Sequence, residues 1–320
     1  MIFNGHSDIL ADVSHRRSRG ELDILRRYYY ENFRKGGLKS SVFVVWTEPY
    51  HRHRTRLRTR EILEYMDQEF SQAQDIIQHC KSFGDLLDEN SQKINIILAF
   101  EGLEHLGEDL SLLAHYKEEL GIFYASLTWN EQNQFASGAG HEGGLTDLGR
   151  ECIRELERNR IILDLSHLND QSLNEALEIV ERPVIASHSN LRSLCPGPRN
   201  ISDDQALAIV ETGGLIGLNS YRDFIHPTRA GQDIDGMIDH IDYLRELVGL
   251  EHIVFGFDFC DRLPQAYRGA SKESTSVRGL AGEEDLARLI CRMYERGYSQ
   301  AELEQVAYRN YYDFLEKHFS

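Results

Sequence analysis

Eight short apolar runs, rich in Val, Ile, Phe and Tyr, constrain the fold of this 320-residue chain more than any other feature. Most of them are apolar at consecutive positions rather than at alternate ones. That pattern is typical of strands buried on both faces of a parallel sheet. The predicted strands are residues 2–4, 41–46, 94–100, 122–127, 161–165, 184–186, 215–218 and 253–256.

Amphipathic helical patterns separate these runs. A long helix is predicted over residues 60–83, and an extra charged helix near residues 20–35. Thr146 is a predicted N-cap, and Ser202 and Ser299 each open a predicted capping box. The remaining predicted helices are residues 146–158, 170–180, 203–212, 234–248, 283–296 and 299–317.

Strand and helix therefore alternate about eight times, which predicts an α/β fold of the (β/α)8 TIM-barrel type. A doubly wound open sheet is the competing architecture, but the glycine-rich phosphate turn that it needs after an early strand is absent from the sequence. No linker or break in composition interrupts the chain. We therefore expect one domain over residues 1–320, with an extra helix in its N-terminal half and additional C-terminal helices.

The formal net charge of −17 disfavours nucleic acid and anionic lipid as partners. An arginine-rich segment at residues 51–60 is the local exception, and we interpret it as a solvated loop and helix start rather than a phosphate site. No apolar stretch is long enough for a membrane span. The five cysteines form no CxxC pair, which indicates a reducing compartment.

Polar side chains follow five of the predicted strands, at the strand ends that carry catalytic groups in parallel barrels. These residues are His6 and Asp8, Glu101, His167, His188, and Asp258. Each alone is a weak signal, since a single histidine or carboxylate after a strand is more often a hydrogen-bonded loop residue or a helix cap. Together, three imidazoles and three carboxylates in one barrel mouth would be costly to bury without a cation.

Imidazole nitrogens and carboxylate oxygens without thiolates favour zinc, with Mn²⁺, Fe²⁺ or Co²⁺ as substitutes. Six such groups exceed what one four-coordinate ion needs, so we expect two ions that share a carboxylate, with Glu101 as the candidate bridge. A bridging hydroxide would then be available near neutral pH. The predicted chemistry is metal-assisted hydrolysis in which Asp258 moves the proton.

The motifs around these residues resemble the renal (membrane) dipeptidases, peptidase family M19 of the amidohydrolase superfamily. The matching stretches occur in the family's order over nearly the whole chain, and the part from Gly144 to Asn200 is the most specific. They are Gly5-His6-Ser7-Asp8, Phe100-Glu101-Gly102, Leu127-Thr128-Trp129-Asn130, Gly144-Leu145-Thr146-Asp147-Leu148-Gly149, Leu163-Asp164-Leu165-Ser166-His167, Pro183-Val184-Ile185-Ala186-Ser187-His188-Ser189, Pro198-Arg199-Asn200, Gly213-Gly214 and Gly256-Phe257-Asp258-Phe259.

The resemblance implies a zinc-dependent dipeptidase, acting also on L,D-dipeptides, with two Zn²⁺ per chain. It assigns His6 and Asp8 to one ion and His167 and His188 to the other. The resemblance also implies that Glu101 bridges the two ions and that Asp258 acts as an acid/base without being a formal ligand. It further implies that Arg199 binds the substrate carboxylate and that Tyr221 contacts the substrate.

Trp129 departs from the family pattern, because the renal enzymes carry a histidine at that position, which is thought to help hold the substrate carbonyl. An indole N–H donates a hydrogen bond but does not titrate. Either Asn130 or Asn133 supplies a donor instead, or Trp129 packs one wall of the substrate pocket.

Two other functions remain open at this point. One is an amidohydrolase that acts on another small amide, a lactam or a lactone, and the other is a metal-binding barrel without catalysis. The start of the chain and the absence of an apolar C-terminal tail predict a cytoplasmic protein without a membrane anchor. The tyrosine run at residues 28–30 is interpreted either as packing of the extra helix or as a homodimer contact.

Overall fold

All eight predicted apolar runs form strands of one parallel sheet in the structure, a computed structural model that describes residues 1–88, 90–264, 267 and 274–319. Its nine strands are β1 Ile2–Ser7, β2 Leu38–Trp46, β3 Ile77–His79, β4 Ile94–Glu101, β5 Tyr124–Ser126, β6 Ile162–Asp164, β7 Ile185–Ala186, β8 Leu215–Leu218 and β9 Ile253–Phe255.

Eight of these strands follow one another around a barrel, in the hydrogen-bonded order β1-β2-β4-β5-β6-β7-β8-β9. Every pairing is parallel. The ring is nearly closed where β9 meets β1, because the Phe257 amide donates to Asn4 Oδ1 at 3.0 Å and the Asp258 amide lies 3.4 Å from the carbonyl of His6. With helices between successive strands, the fold is the predicted (β/α)8 barrel.

The helices lie between the strands and after the last one. They are α1 Ile9–Arg17, α2 Glu31–Gly36, α3 Thr55–Gln72, α4 Leu112–Leu120, α5 Asp147–Arg158, α6 Asp170–Leu177, α7 Asp203–Glu211, α8 Arg222–Ile225, α9 Ile234–Val248, α10 Leu286–Glu295, α11 Gln300–Glu304 and α12 Asn310–His318. Two π-helical turns, Leu25–Tyr30 and Gln305–Arg309, lead into α2 and α12.

The predicted helix over residues 60–83 was wrong in its second half. Helix α3 ends at Gln72, and the chain then forms the short strand β3, which lies beside β4. Strand β5 pairs only with the last two residues of β4. Strand β3 therefore supplies hydrogen-bond partners on that side for the backbone of the first three residues of β4. Ile76 and Ile77 continue the helical spacing of α3, but Ile77 begins β3 and Ile76 is buried in the turn before it.

The predicted caps are present. Thr146 accepts a hydrogen bond from the Gly149 amide at 2.9 Å at the start of α5. Ser202 and Ser299 both form reciprocal capping boxes, which satisfy the first free N–H groups of α7 and α11.

The tyrosine run packs the extra helical segment onto the barrel. Tyr29 is buried and donates to Asp12 at 2.8 Å, while Tyr28 donates to Glu21 and Tyr30 to the Gln92 carbonyl. This contact accounts for the aromatic residues of the segment.

The arginine-rich segment is the loop and helix start that its charge predicts, with α3 beginning at Thr55 and Arg60 exposed, but it is only partly solvated. Arg58 is buried and forms an ion pair with Glu48, Arg54 pairs with Glu61, and Arg56 donates to backbone carbonyls at the start of the β4–α4 connection. Arg58 therefore links α3 to the end of β2, and Arg56 links it to the β4–α4 connection.

Two apolar clusters fill the protein. One lies between the strands and the surrounding helices, and the other occupies the barrel interior and includes Phe3, Val44, Ile97 and Phe123. Tyr311 of α12 closes the interior cluster, with its ring stacked on Phe3 at 4.3 Å. Within the part of the chain that the structure describes, no helix has the length and apolar character needed to cross a bilayer.

Candidate metal centre

Six predicted side chains converge at the barrel mouth. His6 lies at the end of β1 and Asp8 directly after it, while Glu101 is the last residue of β4. The other three follow β6, β7 and β9, and they are His167, His188 and Asp258. Five of the six are buried, and Asp258 is partly exposed to the cavity above.

The three histidines point their Nε2 atoms at one another and at Glu101. The Nε2 atoms of His167 and His188 are 2.8 Å apart. Oxygen Oε1 of Glu101 lies 2.6 Å from Nε2 of His167, 3.5 Å from that of His188 and 3.7 Å from that of His6. Glu101 is thus central to the cluster, as expected of a carboxylate that bridges two ions.

Each imidazole uses its Nδ1 for a fixed hydrogen bond on the side away from the centre. The Tyr124 hydroxyl donates to the Gly5 carbonyl, so His6 Nδ1–H donates to Tyr124, at 3.0 Å. His167 Nδ1–H donates to Asn130 Oδ1 at 2.9 Å. These bonds fix the tautomer that leaves a lone pair on Nε2, as in histidine ligands of metals.

His188 is held by a longer relay. Ser187 Oγ donates to Asp164 at 2.5 Å, so it accepts the His188 Nδ1–H at 2.6 Å. Asp164 also accepts the amides of Ser166 and Ser187. Sequence reasoning assigned no role to Tyr124 or Asp164 and considered Asn130 only as a donor to the substrate, since each supports a histidine that belongs to another strand or loop.

A second group of ligand atoms lies beside the first. His6, Asp8 and Asp258 offer atoms within 4.8 Å of one another, as do His6, Glu101 and His188. Asn219 Nδ2 donates to Asp258 Oδ2 at 2.9 Å, and the Cys260 thiol lies 3.5 Å from the other oxygen. The geometry therefore puts Asp258 within ligand reach as well as in the predicted position beside the centre.

The electrostatics of the cluster favour a bound cation. Burial, followed by the neighbouring carboxylates, raises the pKa of Asp8 and of Glu101 well above the ordinary values. Burial, with the charge of Arg199, lowers the pKa of His6 to about 3, so imidazolium does not supply the positive charge. His167 and His188 also have strongly lowered pKa values because they are buried.

The donor set fits bound metal ions. Nε2 of His6 and Oδ1 of Asp8 are buried and have no hydrogen-bond partner among the described residues. Two neutral imidazoles with facing Nε2 lone pairs 2.8 Å apart repel each other unless a cation or proton lies between them. Nitrogen and oxygen ligands of this kind suit zinc and its neighbours in the first transition row.

The backbone at the centre is unusual in two places. His167 has φ +76° and Asp258 has φ +55°, a left-handed conformation that is uncommon for residues other than glycine. At Gly5, a Cβ atom would lie 1.8 Å from the Tyr311 hydroxyl, so only glycine fits immediately before His6. These positions are shaped to aim side chains rather than to continue regular strands.

A cavity of about 410 Å³ opens above the ligands, and all three predicted substrate-contacting residues line it: Arg199, Tyr221 and Trp129. The Arg199 guanidinium lies 5.7 Å from the centre of the Phe224 ring. Tyr221 stacks on the same ring at 4.7 Å. A guanidinium at this place can bind a carboxylate with two parallel hydrogen bonds.

The structure distinguishes between the predicted roles around Trp129. Its indole ring lies 5.8 Å from the His167 ring, in a stacked arrangement, and forms part of the cavity wall. Asn130 also lines the cavity, but its Oδ1 accepts the hydrogen bond from His167. Asn133 is bound to the Leu127 carbonyl and does not line this cavity. The packing role predicted for Trp129 is therefore the one that the geometry favours.

Comparisons with known proteins agree with this architecture. The family model described as membrane dipeptidase (peptidase family M19) matches residues 1–317. An uncharacterised dipeptidase of Schizosaccharomyces pombe is 36% identical over 219 residues, 65% of this chain and 49% of the fungal protein. Dipeptidase aclJ of Aspergillus oryzae is 31% identical over 216 residues, 66% of this chain and 48% of its own. The chain thus spans about half the length of these relatives.

Solved structures share the whole fold. A metallopeptidase from Rhodobacter sphaeroides, liganded with a phosphinate mimic of the dipeptide L-Ala-D-Ala, superimposes with a TM-score of 0.87 at 21% identity, covering 99% of each chain. Dipeptidase AC, a metallopeptidase of family M19, also gives 0.87, at 22% identity, covering 99% of this chain and 98% of its own. On the match of the family model to nearly its full length, the chain belongs to the membrane dipeptidase family, peptidase family M19.

Proposed function

We propose that this protein is a zinc-dependent dipeptidase with two metal ions per chain. The observation that carries the proposal is the group of three imidazoles whose Nε2 atoms converge on Glu101, below a cavity lined by Arg199. Membership of a dipeptidase family supports a hydrolase that acts on small peptides.

In the proposed site, His6 and Asp8 would hold one ion, His167 and His188 the other, and Glu101 both. Bound ions would supply an activated water and would polarise the scissile carbonyl. Mn²⁺, Fe²⁺ or Co²⁺ are the chemically similar substitutes.

The protein's own residues would position the substrate and move the proton. Arg199 would bind the C-terminal carboxylate of the dipeptide, and Tyr221 would contact the same residue from the neighbouring wall. Asp258 would accept a proton during attack and return it to the leaving amine. Its hydrogen bond from Asn219 orients the carboxylate for this exchange.

The substrates would include L,D-dipeptides. This part of the proposal is supported by the structurally similar metallopeptidase from Rhodobacter sphaeroides, which is liganded with a phosphinate mimic of the dipeptide L-Ala-D-Ala. The cytoplasmic compartment predicted from the cysteine pattern remains part of the proposal. We keep one domain over residues 1–320 as part of the same proposal.

The decisive experiment is a dipeptide-library assay on metal-loaded protein, with L,L- and L,D-dipeptides, together with metal analysis. We expect turnover and about two zinc ions per chain. Less than one ion per chain after purification with added zinc would contradict the proposed centre. Turnover of small amides, lactams or lactones without any dipeptide hydrolysis would instead establish a different amidohydrolase.

The matched variant is Asp258→Asn, which keeps the size and the hydrogen bond of the side chain. Loss of general acid/base catalysis typically costs between about 100- and 10,000-fold in rate, and we expect a fall in kcat within this range. Unchanged turnover in this variant would exclude Asp258 from proton transfer.

A further inference from the structure

The cavity above the metal centre has two aromatic walls of different character. One is formed by the indole rings of Trp46 and Trp129, whose centres are 5.4 Å apart. The other is formed by the stacked rings of Tyr221 and Phe224 and carries the Arg199 guanidinium. The two walls therefore offer different environments to the two ends of a substrate.

The strand order places these walls across the barrel mouth from each other. Trp46 is the last residue of β2 and Trp129 follows β5, and these two strands flank β4. Tyr221 and Phe224 follow β8, which is four strands away from β4 in a ring of eight. The metal ligands lie between the two walls.

The Trp46–Trp129 wall is held rigidly. Trp129 stacks on His167, and the Arg52 guanidinium lies 4.9 Å from the centre of its indole ring. Arg52 is itself fixed by an ion pair with Glu131. A cation placed over an indole in this way contributes attraction beyond simple packing. The indole is therefore oriented before any ligand binds.

This wall is also largely apolar, and Nε1 of Trp46 is a buried donor without a hydrogen-bond partner among the described residues. Trp46 is buried in the barrel-interior cluster together with Leu263, and Trp129 packs against the same cluster. All three line the cavity. The charged partners of Arg52 lie outside the cavity lining, whereas Arg199 and Asp223 are part of the lining on the β7–β8 side.

We propose that Trp46 and Trp129 form the subsite for the N-terminal side chain of the dipeptide, and that the enzyme prefers substrates with a large apolar residue there. This inference rests on the proposed function, in particular on Arg199 as the carboxylate-binding group. A dipeptide whose carboxylate is at Arg199 and whose scissile carbonyl is at the metal centre must extend its N-terminal residue toward the opposite wall.

The expected preference follows from the chemistry of that wall. Indole faces bind aliphatic and aromatic side chains by apolar burial and ring packing, and they offer no charge to a polar side chain. Each added methylene in an apolar pocket changes kcat/KM by roughly tenfold or more. We therefore expect Phe-Ala and Leu-Ala to exceed Gly-Ala by at least about tenfold, and Asp-Ala to be the poorest substrate.

The first measurement is kcat/KM of the zinc-loaded wild-type enzyme on the series X-Ala, with X as Gly, Ala, Leu, Phe and Asp. A rise from Gly to Phe supports the inference. A preference for Gly or Asp over Phe and Leu overturns it and leaves the dipeptidase function in place. Absence of turnover on every dipeptide overturns the proposed function itself.

The second measurement assigns the preference to the wall. In Trp129→Ala the ratio of kcat/KM for Phe-Ala to that for Gly-Ala should fall by about tenfold, and in Trp129→Phe by less. Tyr294→Ala, which removes an aromatic ring that is 66% exposed on α10, is the control and should keep the wild-type ratio. An unchanged ratio in Trp129→Ala overturns the assignment of the subsite.

Because Trp129 contacts His167, metal content is measured on every variant. Trp46→Leu gives a second test if Trp129→Ala binds less metal, since among the described residues Trp46 shows no ring contact with a ligand histidine, although its backbone pairs with that of Glu101. A lowered Phe-to-Gly ratio in Trp46→Leu at wild-type metal content supports the inference, and an unchanged ratio contradicts it.

Discussion

The histidines of the metal centre and His240 of helix α9 are equally buried, yet their ring nitrogens are used in opposite ways. His240 accepts a hydrogen bond from the Leu191 amide through Nδ1, at 3.1 Å, and donates to the Ile225 carbonyl through Nε2, at 2.9 Å. In His6 only Nδ1 has a hydrogen-bond partner among the described residues. The difference between His6 and His240 shows that burial alone does not distinguish a candidate ligand, because both are buried and only His6 has an Nε2 atom without a hydrogen-bond partner among the described residues.

His105 is the intermediate case. It is buried against Phe100 and Tyr116, and its Nε2 has no hydrogen-bond partner among the residues that the structure describes. Within the same described residues, however, it is not part of a group of three ligand atoms that could hold an ion. A free nitrogen therefore indicates a metal site only where other donors converge on it.

The strongest test of this comparison removes one of the converging nitrogens. In His167→Ala we expect kcat/KM to fall by more than about 100-fold, because even the loss of an outer hydrogen bond to a ligand costs 10- to 100-fold. Bound metal per chain should fall as well. Metal analysis and steady-state kinetics check this, with His115→Ala on the exposed side of α4 as the control. A variant that keeps full metal content would exclude His167 as a ligand.

Removing the ions from the wild-type protein should abolish turnover and lower the melting temperature. Ligand present at 1,000 times its Kd stabilises a fold by about 4 kcal/mol, so chelation should cost a comparable amount. Thermal unfolding with chelator, and then with zinc restored, measures the change. Recovery of both activity and stability is expected, and full activity in the chelated enzyme would contradict a metal-dependent reaction.

The His240→Ala substitution should lower the stability of the fold without lowering the metal content, in contrast to His167→Ala. It leaves the buried Leu191 amide and the Ile225 carbonyl without their partner, which typically costs about 1–3 kcal/mol for each group. We expect a lower free energy of unfolding, measured by denaturant titration, with unchanged metal per folded chain. Loss of metal in this variant would show that the two histidine environments are coupled.

The pH dependence of the free energy of unfolding should also show the protonation of His240. Burial lowers its pKa to about 4, below the unfolded value of 6.5, so its contribution is fully present above pH 6.5 and is lost as the pH falls toward 4. At pH 5 the expected loss is about 2 kcal/mol. Chelated wild-type protein should therefore lose more stability between pH 7 and pH 5 than chelated His240→Gln. Equal losses would mean that His240 takes up no proton on unfolding.

The residues that carry the centre were predictable because each follows a recognisable apolar strand. His6, Glu101 and His188 all come at or directly after such a run, and parallel barrels bring those ends together. The partners of the histidines were not predictable in the same way. The contact between His6 and Tyr124 joins residues 118 positions apart, and a pattern along the chain gives no information about it.

The fold was predicted well where periodicity and length agreed, and less well where they did not. The helix predicted through residue 83 failed because Ile76 and Ile77 fit the helical spacing, whereas Ile77 begins strand β3 and Ile76 is buried in the turn before it. The arginine-rich segment was predicted correctly as a loop and helix start, but its ion pairs were not predicted. Arg58 is buried because it pairs with Glu48, and Arg54 pairs with Glu61; charge along the chain does not identify these partners.

The junction between β1 and β9 also bears on how the protein folds. Asn4 Oδ1 and the Phe257 amide bond across a sequence separation of 253 residues. Contacts between residues so far apart in the sequence form late during folding, because the entropy cost of closing a long loop must be overcome first. His6 and Asp258 flank this junction, so the ligand set is complete only when the ring closes. The rate at which zinc is captured during refolding should therefore report the final closure step rather than the collapse of individual β/α units.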